Sequence, residues 1–92
     1  MSAPMTDAEL LELRKSEWVT KMALRVLLWQ FSTHRKHYLS QLGGNPVNYL
    51  ITELESFYFA SPKGWQRQFR RAPAKLANCV YHQISCELRG RP

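Results

Sequence analysis

The chain has 92 residues, of which 45% are apolar and 12% are aromatic, a composition that argues against disorder and leaves room for one domain at most. Its formal net charge of +6 is uneven, with −2 over residues 1–17 and +8 over residues 18–92. The basic character therefore belongs to the body of the domain. It favours a polyanionic partner, namely nucleic acid, an acidic protein surface or an anionic membrane surface.

The sequence shows no membrane-spanning segment and no secretion signal. The N-terminus lacks a basic region followed by an apolar one, and the most apolar run, 18–31, is interrupted by Lys21, Arg25 and Gln30. Cys79 and Cys86 are seven residues apart in a predicted helix, which is too far for a disulfide. We therefore expect a cytoplasmic protein with no membrane partner.

The first predicted element is one long helix over about residues 7–41. Thr6 or Asp7 can cap its N-terminus, and Glu9 stands at the spacing of a capping box with Thr6. A wide apolar arc along this helix predicts a central position in the fold, with Gln30 in the middle of the arc either hydrogen-bonded or part of an interface. The arc comprises Val19, Met22, Ala23, Val26, Leu27 and Gln30, flanked by Trp18, Leu24, Trp29 and Phe31.

Glycine and proline then divide the rest of the chain into helices. Gly43-Gly44-Asn45-Pro46 is typical of a helix stop followed by a new start, and Ser61-Pro62 repeats the start signal. We expect helices over about 46–59 and 73–88, with a short helix near 62–71 between them. The predicted fold is all-α, a small bundle of three main helices and one short helix in a single domain, 1–92, with residues 1–5 a flexible N-terminus. Because so short a chain buries a modest core, a homodimer is an alternative to a monomer.

The most informative stretch carries five basic residues and no acidic one between Ser56 and Cys86. These are Lys63, Arg67, Arg70, Arg71 and Lys75, and they alternate with Trp65 and Phe69. The arginines have no acidic residue within ten positions to pair with, so we predict that they bind phosphates or the acidic side chains of a partner. Trp65 and Phe69 are aromatic anchors, which we expect to face the core in preference to stacking on a ligand.

A second positive face lies on the first helix. Its main cations are Lys21, Arg25, Arg35 and Lys36, joined by Arg14 and, at the end of the face, His34 and His37. Such a face could follow a nucleic-acid backbone. The alternative is an ordinary solvated helix face, in which Glu17 and Lys21 pair at i, i+4.

Three other constellations are weaker. The segment Tyr38–Leu54 has the order of a helix-turn-helix, but the second helix carries no Lys or Arg to enter a groove. Cys79, His82 and Cys86 share one helix face and are a low-ranking zinc alternative, since no C-x-x-C is present; we expect no metal and no cofactor. No glycine-rich phosphate loop or paired carboxylate indicates catalysis, so we expect no enzyme.

These patterns predict a small, non-enzymatic regulatory protein that uses a basic surface to bind nucleic acid or a nucleoprotein complex. The alternative is a helical antagonist or adaptor, of the kind that phages and mobile elements encode, which grips a partner protein with aromatics and arginines. The relative position of the two positive surfaces in the fold distinguishes these two functions. If they are contiguous a polyanion is favoured, and if they point apart a protein partner is favoured.

Overall fold

A computed structural model describes residues 4–90 of the chain, and over that range it contains five helices and no strand. The elements are α1 (Asp7–His34), α2 (Lys36–Leu39), α3 (Pro46–Ala60), α4 (Lys63–Arg71) and α5 (Pro73–Arg89). The all-α bundle is therefore confirmed, and residues 46–59, 62–71 and 73–88 agree with α3, α4 and α5 to within a residue at each end. Of the predicted flexible N-terminus, residues 1–3 lie outside the described range, and residues 4 and 5 precede α1.

Helix α1 begins as its sequence predicts but ends earlier. The Thr6 side chain accepts a hydrogen bond from the backbone N–H of Glu9 at 3.1 Å, so Thr6 is the N-cap. The predicted single helix over 7–41 is wrong, because Arg35 leaves the helical region with φ −144° and ψ 52°. The Arg35 N–H still bonds to the carbonyl of Phe31 at 2.9 Å, and the chain turns there into the one-turn helix α2.

The turn between α2 and α3 follows the predicted chemistry. Gly43 has a positive φ of 95°, a conformation that glycine adopts without the steric cost borne by other residues. Asn45 is the N-cap of α3, since its side-chain oxygen accepts a hydrogen bond from the N–H of Asn48 at 3.1 Å. Pro46 then occupies the first turn of α3, where its missing N–H costs no hydrogen bond.

The core is built around α1, which packs most extensively against α5 and then against α3. Buried positions recur every four residues on α1 and on α5, which is the spacing of one helix face. These core residues are Val19, Ala23, Leu27 and Phe31 from α1, Leu50, Leu54 and Tyr58 from α3, Phe69 from α4, and Leu76, Val80, Ile84 and Leu88 from α5.

The buried stripe of α1 is narrower than the sequence suggests. Trp18 and Trp29, expected to flank the apolar arc, are 51% and 61% exposed. Gln30 lies at the border of the core and donates a hydrogen bond to the Asn78 side chain of α5 at 3.4 Å. Helix α1 therefore presents two tryptophan side chains to solvent beside its buried stripe, and one of them, Trp18, lines the site described next.

None of the helices within residues 4–90 is long and apolar enough to cross a membrane.

Candidate nucleic-acid interface

A concave, positively charged site lies where α4 crosses α1. Five side chains from these two helices enclose a cleft of about 370 Å³, which we call the cationic cleft. This volume is within the range of pockets that hold small ligands. The lining residues are Lys15, Trp18, Arg67, Arg70 and Arg71.

Helical spacing brings these residues together. Lys15 and Trp18 are three positions apart on α1, and Arg67 and Arg71 are four apart on α4, so each pair shares one face of its helix. The opposite side of α4 is anchored by Phe69, which is only 2% exposed. With that ring in the core, the two arginines are directed outward over the surface of α1.

Arg70 has a different role from its two neighbours. Its Nη1 donates to the Tyr58 hydroxyl at 3.2 Å and to the Glu12 carboxylate at 3.4 Å. The sequence showed no acidic residue near Arg70 because Glu12 precedes it by 58 positions. The other oxygen of Glu12 lies 3.9 Å from Lys15 Nζ. Arg70 thus connects α1, α3 and α4 and forms a fixed wall of the cleft, and it is only partly available to a ligand.

The remaining groups of the cleft are available. Arg67 and Arg71 are exposed, and within residues 4–90 neither has a salt-bridge or hydrogen-bond partner. Trp18 likewise makes no ring contact with any described residue, whereas Trp29 packs edge-on against His34 and Trp65 against Phe69. The cleft therefore combines an open indole ring with two unpaired guanidinium groups and a loosely paired ammonium group. Within residues 4–90 Glu12 is the one carboxylate that pairs with any of these four cations, and it contacts Lys15 and Arg70 alone.

The other members of the basic segment point elsewhere. Trp65 is 52% exposed and lines a separate apolar depression with Phe57 and Pro62, so of the two expected core anchors only Phe69 is buried. Lys63 lines a cleft at the other end of α4, and Lys75 is exposed on the first turn of α5. Neither lysine lines the cationic cleft.

The second positive face divides into two parts. Lys21 and Arg25 follow Trp18 by three and seven residues on α1, a rise of roughly 4.5 and 10 Å, so they continue the cationic cleft along the helix. Arg35 follows the C-terminal end of α1, roughly 30 Å along the helix from Lys15, and Lys36 begins α2 beyond the turn. The two predicted surfaces are therefore contiguous through Trp18 as far as Arg25, and Arg35 and Lys36 form a separate group.

The contacts of Lys21 and Arg35 within the chain also differ. The i, i+4 pair between Glu17 and Lys21 does not form a salt bridge, and Lys21 has no ionic partner within residues 4–90. The Arg35 guanidinium, in contrast, lies over the ring of Tyr38 at 5.5 Å from its centroid, a cation–π contact within the chain.

The structure gives no geometric support to the zinc site or to the helix-turn-helix that the sequence offers as alternatives. Within residues 4–90 no group of three or more His, Cys, Asp or Glu side chains is placed to hold a metal ion. Cys79, His82 and Cys86 are partly or fully exposed along α5, and both cysteines are free. The second helix of the would-be helix-turn-helix is α3, which buries Leu50, Leu54 and Tyr58 and contains no Lys or Arg.

Sequence reasoning missed two residues of the site, Lys15 and Trp18. The signal that could have revealed Trp18 is the four-residue spacing of the core, which runs from Val19 through Ala23 and Leu27 and leaves Trp18 outside. Its pairing with α4 depends on tertiary structure, and no pattern in the sequence encodes it.

A second and larger cleft lies on the other side of the Glu12–Arg70 contact. It has a volume of about 690 Å³ and a mostly apolar lining, and we call it the apolar cleft. Phe59 and Met5 are its most exposed large hydrophobic residues, at 60% and 51%. The apolar members of the lining are Met5, Ala8, Leu13, Phe59 and Pro62.

Fold and site together define a small helical bundle with a basic, aromatic cleft on its surface. Comparison with models of protein families, with curated proteins and with solved structures finds no match for this chain.

Proposed function

We propose that this protein is a non-enzymatic regulatory protein that binds nucleic acid, free or within a nucleoprotein complex, through the surface of α1 and α4. The observation that carries the proposal is the cationic cleft, in which unpaired guanidinium groups converge on an open indole ring. Arg67 and Arg71 supply charge for phosphates, and Lys21 and Arg25 extend that charge along α1.

The charge distribution supports a polyanion over a small anion. A single phosphate would need only the cleft, whereas Lys21 and Arg25 continue the positive surface for another two turns of α1. A protein that neutralises phosphates releases their counterions, so its affinity for nucleic acid falls as salt rises. In a plot of log K against the logarithm of the salt concentration, each phosphate contact contributes a slope of about −0.7 to −0.9.

The test is a salt titration of binding to short single-stranded and duplex oligonucleotides, using the double variant Arg67→Gln with Arg71→Gln. Glutamine keeps helix propensity near that of arginine and removes the charge. We expect the variant to bind more weakly and its salt slope to be smaller by about 1.4 to 1.8, the contribution of two phosphate contacts.

The matched control is Lys36→Gln with Arg89→Gln, which removes the same net charge away from the cationic cleft. It should keep most of the salt slope of the original protein. The proposed function is wrong if neither the single-stranded nor the duplex oligonucleotide binds at low salt. It is also wrong if the salt slope falls by the same amount in both double variants.

A second candidate, a protein-binding antagonist or adaptor, is favoured by the apolar cleft. Exposed apolar patches with a polar rim are common at protein interfaces, and Phe59 is 60% exposed on this one. In that case a stoichiometric partner would co-purify after nuclease treatment. Phe59→Ser would release it, and the Arg67→Gln/Arg71→Gln variant would retain it.

A further inference from the structure

We propose that the cationic cleft takes one unpaired nucleobase, stacked on Trp18, so that the ligand class is single-stranded nucleic acid in preference to duplex. This inference rests on the proposed function and specifies which form of nucleic acid the site selects.

The first observation behind this inference is that the Trp18 ring is available for stacking. The indole is half exposed, is free of ring contacts within residues 4–90 and lines a recess between two helices. An exposed aromatic ring without a ring partner is able to stack on another flat ring, and every nucleobase has a flat ring of this kind. Trp29 is even more exposed on the same helix, but it lies edge-on against His34 and lines none of the described clefts.

The cations around the ring carry the second step. Arg67 and Arg71 reach the cleft from α4 while Lys15 reaches it from α1, so positive groups from both helices share the recess with Trp18. A base seated on the indole would therefore have its flanking phosphates within the reach of both helices. This combination of a stacking ring with cations along the backbone is the usual arrangement in proteins that bind single strands.

The shape of the site argues against a duplex ligand. In a double helix the bases stack on each other, and their faces are inaccessible unless a nucleotide is flipped out at an energetic cost. The cleft of about 370 Å³ has room for a nucleotide and not for a helix. Helix α3, the second helix of the would-be helix-turn-helix, also carries no Lys or Arg with which to enter a major groove.

The experiment compares three ligands of equal length by fluorescence anisotropy. These are a short oligothymidylate, a duplex, and an abasic oligomer that keeps the phosphates and lacks the bases. We expect the original protein to bind oligothymidylate more tightly than the other two. Trp18→Ala should bind oligothymidylate roughly 5- to 150-fold more weakly, the range measured for loss of one base–aromatic stack. The same substitution should leave binding of the abasic oligomer unchanged.

The matched control is Trp29→Ala, which removes a half-exposed tryptophan of the same helix outside the cleft and should change neither affinity. The ligand comparison on the original protein needs no variant, so it remains decisive if Trp18→Ala does not fold. Equal binding of oligothymidylate, abasic oligomer and duplex would overturn the inference and leave the proposed function intact. Absence of binding to all three at low salt would overturn both.

Discussion

The carboxylate of Glu12 opposes the cations of the cationic cleft, and replacing it with glutamine tests whether phosphates bind there. Glu12 contacts Arg70 at 3.4 Å and Lys15 at 3.9 Å, so it partly neutralises both. The change Glu12→Gln keeps the shape of the side chain and a carbonyl oxygen that can still accept from Arg70. Arg70 also keeps its bond to the Tyr58 hydroxyl at 3.2 Å. We therefore expect a folded protein whose cleft is more positive by one charge.

The size of the effect follows from the geometry. A phosphate on the far side of Arg70 would lie about 7 Å from the Glu12 carboxylate, the span of two charge-assisted contacts. Two unit charges at about 7 Å repel by about 0.6 kcal/mol in bulk water and by about 2.4 kcal/mol at an effective dielectric constant near 20. Screening at 0.1 M salt roughly halves these values. Glu12→Gln should therefore tighten binding of single-stranded oligonucleotide by about 2- to 8-fold.

The assay is equilibrium binding at fixed ionic strength, with Glu87→Gln as the control. Glu87 is exposed on α5 and lines none of the described clefts, so its replacement makes the same change in net charge without touching Arg70. The gain should be seen for Glu12→Gln and be much smaller for Glu87→Gln. Unfolding free energy should change by less than about 1 kcal/mol, because the Glu12 ion pairs are solvent-exposed. Equal gains in both variants, or weaker binding by Glu12→Gln, would refute the assignment of phosphates to this cleft.

Three predictions concern the fold that holds the cleft, each measured by urea denaturation followed by circular dichroism. Phe31→Ala should cost about 3 to 5 kcal/mol, since Phe31 is fully buried, whereas Phe59→Ala should cost far less because Phe59 is 60% exposed. Asn45→Ala should cost about 1 kcal/mol through loss of the α3 N-cap, and Asn45→Asp should restore most of it. Gly43→Ala should cost about 1 to 2 kcal/mol because of its φ of +95°, whereas Gly44→Ala, at a residue without positive φ, should cost less. A reversal of any of these orders would contradict the corresponding assignment.

Much of the fold was predictable because its signals are local. The caps Thr6 and Asn45, with Pro46 and Pro73 in the first turns of α3 and α5, mark helix starts through contacts within a few residues. The break at Arg35 was not predictable in this way. No glycine or proline lies within residues 5–42, and the run Ser32-Thr33-His34 has low helix propensity without being a helix breaker, so the sequence does not fix where α1 ends.

The candidate site was predicted in part, and the division has a physical reason. Arg67 and Arg71 were identified because an unpaired basic run is visible in the sequence. The same run includes Arg70, whose partners Glu12 and Tyr58 are 58 and 12 residues away in the chain and are therefore not visible beside it. A sequence window that shows a charge without a nearby counter-charge cannot separate a free arginine from one paired across the fold.

Trp18 is the converse case, a residue that resembles a core residue in the sequence and is exposed in the fold. On α1 alone it borders the apolar stripe, where tryptophan is ordinarily a core residue. Its exposure arises because α4 approaches α1 with arginines in place of apolar side chains, so the crossing leaves a recess where a core contact would otherwise form. A mutation that closed this recess, such as Arg67→Leu, would be expected to bury the Trp18 ring and to blue-shift its fluorescence. If the recess exists to bind a base, the same mutation should abolish the preference for single strands while leaving the helix content of the protein unchanged.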